Sequence, residues 1–242
     1  MTDGTQPPPD FEAARQGRLL ARLWPAPEIA ATGVSPVAPG SHTLDLTGTD
    51  SRECLLYVPA GYDATRPASL VLWLHGAGRA ARGALAPLAP LADAAGLILL
   101  APDARMHTWD VIVGGYGPDV TFIDQALAYT FTHCAVDPAR LAIGGFSDGA
   151  SYALSLGLIN GDLFTHIIAF SPGFTAHTTR RGKPQVYVSH GVRDDILPID
   201  RCGRRVVHAL RGAGYDVNYH EFDGPHTVPS VIAQDAVNWL TR

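Results

Sequence analysis

Apolar residues in this chain gather into short unbroken runs at 70–74, 97–101, 141–146, 167–170 and 186–189, most closed by glycine, proline or a polar cluster. Runs of this length without alternation are those of strands buried on both faces. Between them the apolar spacing shifts to a helical period, predicting helices over 85–95, 120–134, 150–158, 200–212 and 228–240, with a further strand over 217–222. Alternation over 42–47 and an apolar stretch over 53–58, separated by Gly48-Thr49-Asp50, predict an antiparallel hairpin at a sheet edge. Strands alternating with helices require a mostly parallel, twisted sheet covered on both faces, with ligands held at the carboxyl ends of the strands. The chain is therefore expected to be of the α/β class.

The first forty residues fall outside that rhythm. Residues 1–9 are polar and end in three prolines, and they are expected to be disordered. Asp10 is placed to cap a helix over 11–24, whose stripe Leu19, Leu20, Leu23 and Trp24 would pack on the core while Arg15, Arg18 and Arg22 face solvent. A Pro/Gly-rich linker follows, so residues 1–40 read as an appendage and 41–242 as one domain.

Composition narrows the partners. A 242-residue chain that is 46% hydrophobic can bury a substantial single core. Its net charge of −5 comes without a block of like charge, which argues against nucleic acid and against an acidic membrane surface. Cys54, Cys134 and Cys202 are odd in number and far apart, so they read as reduced, buried thiols. Neither clustered Cys/His spacing nor His-x-x-x-His occurs, so no metal and no cofactor are expected. With no signal-like apolar core in the first thirty residues and no membrane-length run, the expected location is the cytoplasm. A homo-oligomer is compatible with these features.

The chemistry gathers at strand ends. Gly145-Phe146-Ser147-Asp148-Gly149 lies between a buried strand and a small-residue helix, so Ser147 would sit on a sharp turn whose flanking glycines leave room for it. A helix starting at Asp148 would aim its free N–H groups at the serine oxygen. An acid-bearing loop, His190-Gly191-Val192-Arg193-Asp194-Asp195-Ile196-Leu197-Pro198, follows one strand, and Phe222-Asp223-Gly224-Pro225-His226 follows the last. Serine becomes nucleophilic when an imidazole accepts its proton, and the imidazole needs a carboxylate to fix its tautomer. The order Ser, Asp, His is that of the nucleophile elbow.

With Leu74-His75-Gly76-Ala77-Gly78 and Pro225-His226-Thr227 added to these motifs, the chain from about residue 53 to 240 resembles an α/β-hydrolase. It is similar to the small phospholipase/carboxylesterase-like enzymes and to the compact polyhydroxybutyrate depolymerase and feruloyl esterase group. The resemblance implies a catalytic domain over 41–242, and the stretch between the 167–170 and 186–189 strands is too short to hold a large helical cap. Ser147 would be the nucleophile, His226 the base and Asp194 the acid. It selects Asp194 over Asp195 because the acid stands four residues after the histidine of His-Gly and four before the proline. Asp195 is then expected to turn outward and accept backbone N–H bonds. The backbone N–H groups of Asp148 and Ala77 would form the oxyanion hole, with His75 bracing the loop. Met106, Trp109, Ile112 and Tyr116, in a glycine-containing loop after 97–101, are expected to line the substrate site.

His107 and His177 lie in loops without a placed carboxylate. His42, His133, His208 and His220 read as structural or solvated. The implied activity is hydrolysis of short to medium acyl or aryl esters through an acyl-enzyme. A thioesterase or peptidase with the same three residues is the nearest alternative, and a silent binding protein of the same fold is the next. All three chemical positions are filled, which weighs against the silent protein.

Overall fold

The structure is a computed structural model and describes residues 9–23, 36–46, 52–176 and 179–242. The expected disorder over 1–8, Trp24 and the linker over 25–35, the Gly48-Thr49-Asp50 turn and His177 lie outside the described residues, as does the capping side chain of Asp10. Eight strands, β1 (Gly40–Thr43), β2 (Cys54–Val58), β3 (Ala68–Leu74), β4 (Ile98–Pro102), β5 (Val136–Phe146), β6 (His166–Phe170), β7 (Gln185–Gly191) and β8 (Val217–Phe222), form one sheet in the order β1-β2-β4-β3-β5-β6-β7-β8. β1 pairs antiparallel with β2 and β2 with β4, and every other pairing is parallel. From β3 the chain crosses first to β4 on one side and then to β5 on the other. Strand order thus reverses at β3, which opens a crevice past its carboxyl end. The register Leu74↔Gly145 puts His75-Gly76-Ala77 and Phe146-Ser147 together at that crevice.

The alternation of side chains along a strand divides the core in two. Leu70, Leu72 and Leu74 of β3 face one cluster, which is covered by α4 (Asp110–Val113), α5 (Pro118–His133), α6 (Asp148–Ile159) and α7 (Gly203–Gly212). Val71 and Trp73 face the other, covered by α2 (Ala81–Leu85), α3 (Ala89–Ala95) and α8 (Ser230–Leu240). In α6 every residue from Gly149 to Ile159 is buried, so tertiary packing rather than amphipathicity holds it. The helix that follows Ser147 is therefore among the firmest in the molecule.

Two helices differ from the sequence expectation. The stretch 85–95 is two helices, because Pro87 has no N–H to donate and its ring opposes a continuous turn; residues 86–88 form the corner. The N-terminal helix α1 (Pro9–Arg15) ends eight residues earlier than Leu23. Gly17 adopts φ +71°, Gly17 N–H donates to Ala14 O and Arg18 N–H to Ala13 O, which is a Schellman stop. Beyond it the chain is extended. Leu19 N–H donates to Asn160 Oδ1, Leu20 and Ala21 N–H donate to Asp124 Oδ1, and Arg18 grips Asp162 and Ile159 O. Arg18 is thus engaged with the end of α6 and does not face solvent.

Candidate active site

At the end of β5 the backbone turns through Ser147 at φ 59°, a region non-glycine residues rarely occupy. The turn fits because both flanking positions lack a side chain. A Cβ on Gly149 would lie 2.1 Å from Leu74 O, and one on Gly145 would lie 2.5 Å from Gly149 O. Ser147 N–H donates to Phe170 O of β6, and α6 starts at the next residue. As the first residue of that helix, Asp148 has an N–H with no intrahelical acceptor.

His226 reaches this serine from the turn after β8. Its Nε2 lies 2.8 Å from Ser147 Oγ and its Nδ1 lies 2.6 Å from Asp194 Oδ2. Phe146 packs against the imidazole with ring centroids 4.6 Å apart. The acid loop and the histidine loop are joined through their backbones, Val192 N–H to Phe222 O and Arg193 N–H to Gly224 O, and Arg193 pairs with Asp223. Asp194 is 5% exposed, whereas Asp195 is exposed to solvent. The expected backbone bonds of Asp195 belong instead to Asp194, whose Oδ1 accepts Ile196 N–H and Leu197 N–H. One carboxylate therefore both braces its loop and faces the imidazole.

His190 lies behind that carboxylate, fully buried. Its Nε2 donates to Leu197 O at 2.8 Å and stands 3.2 Å from Asp194 Oδ2, while Nδ1 has no partner. Burial pushes its pKa below the ordinary histidine value, with the Asp194 charge opposing this. The unfolded chain then takes up a proton near pH ~6.5 that the folded chain resists, so stability present above that pH is lost as pH falls through it. The melting temperature should drop more steeply from pH 7.5 to 5.5 in the wild type than in His190→Gln. Equal slopes would mean that His190 protonates as easily folded as unfolded.

The loop after β4 ties the two sides of the crevice together. Trp109 Nε1 donates to His75 O, Ala104 N–H donates to His75 Nε2, and His75 Nδ1 donates to Gly76 O, so both ring nitrogens of His75 are used in bracing. His107 O accepts Gly78 N–H, with the His107 ring against Gly78, and Thr108 Oγ1 donates to Asp148 Oδ2. Further along, the glycines at 114, 115 and 117 do not leave the loop free. Asp110 accepts N–H bonds from Gly117 and Asp119 and the hydroxyl of Tyr152; Asp119 accepts from Asp110 N–H and Arg105 N–H and pairs with Arg52. Burial, then the neighbouring Asp119 charge, pushes the Asp110 carboxyl above its usual range.

A cavity of about 340 Å³ opens beside His226, between the 83–91 corner and the start of α8. Trp73, Leu88, Leu91, Phe146 and Val228 are among its walls. None of Met106, Trp109, Ile112 and Tyr116 lines it. Trp109 is 1% exposed, stacked on Tyr152 and beside His75, because its indole N–H finds an acceptor only beneath the loop. Tyr116 and Ile112 pack against the core, and Met106 is 67% exposed. Thr227 and Val228 follow His226 directly, so adjacency alone could have suggested them. Leu88 and Leu91 carried no such signal, since periodicity marks them only as apolar. Ala77 is exposed in the turn past β3, close to the crevice.

Of the histidines outside this site, His133 stacks on Tyr129 and His220 stacks on Tyr187. Among the described residues no cluster of three or more His, Cys, Asp or Glu could hold a metal ion, and no helix is long and apolar enough to cross a membrane.

A family model described as phospholipase/carboxylesterase matches residues 120–242. Feruloyl esterase C of Emericella nidulans is 30% identical over 159 residues, which cover 62% of this chain and 58% of that protein. The chain thus spans little more than half the length of that relative. Probable feruloyl esterase C of Aspergillus terreus is 24% identical over 197 residues, covering 75% of this chain and 72% of the relative. Among solved structures, esterase PE8 is 25% identical with a TM-score of 0.63, covering 76% of this chain and 95% of that one. A ferulic acid esterase from Anaeromyces mucronatus, solved with ferulic acid, shares the fold at 18% identity and a TM-score of 0.62, covering 86% of this chain and 91% of that one.

Proposed function

Because the chain belongs to the phospholipase/carboxylesterase family of α/β-hydrolases, we propose that it is a serine carboxylic-ester hydrolase working through an acyl-enzyme. The observation that carries this reading is the continuous hydrogen-bonded path from Ser147 Oγ through His226 to Asp194. In the proposed cycle Ser147 Oγ attacks the ester carbonyl carbon as its proton passes to His226 Nε2. Asp194, bonded at Nδ1, holds the imidazole in the accepting tautomer and stabilises its charged form. The carbonyl oxygen, now an oxyanion, takes hydrogen bonds from Asp148 N–H and Ala77 N–H. Collapse breaks the bond to the alcohol oxygen, which leaves with the proton from Nε2. A water then gives its proton to Nε2, attacks the acyl carbon and releases the acid, and Ser147 recovers its proton.

Short to medium acyl or aryl esters suit the site best. The cavity lies at the small end of the roughly 300–1,000 Å³ of ligand sites and is largely apolar. The connection between β6 and β7 holds no helix among its described residues, so nothing there supports a cap. Two relatives are named for feruloyl esters, which carry an aryl acyl group. The test is a 4-nitrophenyl ester series from acetyl to dodecanoyl, with a thioester and an anilide alongside. kcat/KM should be highest for the shorter chains, fall for the longest and show no jump at a lipid interface. Cleavage confined to the thioester or the anilide would replace this reading, and strong interfacial activation would require a moving lid.

A further inference from the structure

The cavity beside His226 is apolar through Trp73, Leu88, Leu91, Phe146 and Val228, and no aspartate or glutamate lines it. Arg79 does line it, two residues past Ala77 on the turn that follows β3. Nearby acids are engaged elsewhere: Glu53 pairs with Arg82, and Asp103 accepts Ala81 N–H. Arg79 has no acidic partner among the described residues. His75, also on the cavity wall, uses both ring nitrogens within the protein. The cavity thus presents an apolar body with the hydroxyls of Thr227 and Ser230 and, apart from the histidines, one cationic side chain on its wall, Arg79. A guanidinium in that position matches a carboxylate, which can take two parallel N–H bonds from its planar fork. A neutral ester can take at most a single, weaker hydrogen bond from it.

We infer that the cavity selects esters whose bound half is an apolar or aryl body ending in a carboxylate, with Arg79 as the specificity-determining residue. This rests on the esterase reading and narrows its substrate class. An exposed rim site makes the contact modest, about fivefold in selectivity, and sensitive to salt.

Two matched pairs test it, because either half of the ester can be the one held. On the acyl side, the 4-nitrophenyl monoester of a six-carbon diacid is compared with 4-nitrophenyl hexanoate. On the alcohol side, 4-butanoyloxybenzoate is compared with its methyl ester. In one of the pairs, the anionic-to-neutral ratio of kcat/KM should fall about fivefold in Arg79→Gln, through KM. Arg79→Lys should restore part of it, added salt should reduce the wild-type ratio, and Arg105→Gln, at an exposed arginine in the loop after β4, should leave it unchanged. The inference is overturned if Arg79→Gln leaves both ratios within twofold of wild type, or if Arg105→Gln lowers them equally, which would mark a general field. If the wild type cleaves neither the neutral nor the anionic members, the esterase reading fails and this inference with it. If neutral esters are cleaved through Ser147 and the ratios ignore Arg79, only the selectivity fails.

Discussion

Ser147→Ala should lower kcat for ester hydrolysis by on the order of 10⁶-fold while the protein stays folded, because it removes the atom that becomes bonded to the acyl group. The fold should survive, since the residue's tertiary tie at the turn is a backbone bond, Ser147 N–H to Phe170 O, which alanine keeps. Alanine also carries the same Cβ at φ 59°, so the substitution neither adds nor relieves backbone strain. What is lost is the 2.8 Å bond to His226, and the melting temperature should move by no more than a few degrees. A variant that kept a tenth of the activity would show that another group attacks the substrate. The comparison is made on purified protein with active-site-independent concentrations, so that misfolding cannot pass for lost chemistry.

The second large effect separates two adjacent carboxylates. Asp194→Asn should cost about 10⁴-fold in kcat, because an amide in place of Oδ2 no longer stabilises the charged imidazole and favours the wrong tautomer. Asp194 has a second duty, since its Oδ1 accepts Ile196 N–H and Leu197 N–H; an asparagine oriented with its carbonyl to those groups would turn its NH₂ toward His226 Nδ1. The loop would then stay intact while the imidazole is held in the unproductive tautomer. Asp195→Asn changes an exposed side chain outside that path and should cost less than about tenfold. Steady-state kinetics of the two variants decide it, and the reverse order would move the acid to Asp195.

Much of the framework is readable in the sequence alone. Unbroken apolar runs marked the interior strands because both their faces are covered, and the punctuation after them marked the crevice. Local chemistry was harder to read. At 85–95 an apolar helical pattern concealed a corner, since apolarity continues through Pro87 while the backbone turns. At 11–24 the stripe outlasted the helix, because Leu19 is buried from an extended segment once Gly17 has ended α1. The groups around Ser147 could be proposed from residue types and order. The walls of the cavity could not, because they come from three separate stretches of chain whose meeting depends on packing. Trp109 illustrates the limit: an aromatic in a loop near the crevice looks like a ligand contact, but its N–H is satisfied only inward, on His75 O.

The most direct test of Ser147 as nucleophile is reaction with a fluorophosphonate, in which Oγ bonds to phosphorus as fluoride leaves, followed by mass spectrometry of the tryptic peptide spanning 141–180. That peptide also carries Ser151, Ser155 and Ser171, so fragmentation must locate the adduct. A single adduct on Ser147, absent from Ser147→Ala and much slower to form in Asp194→Asn, is the predicted result. An adduct on any other residue, or none from a preparation that hydrolyses esters, would contradict it.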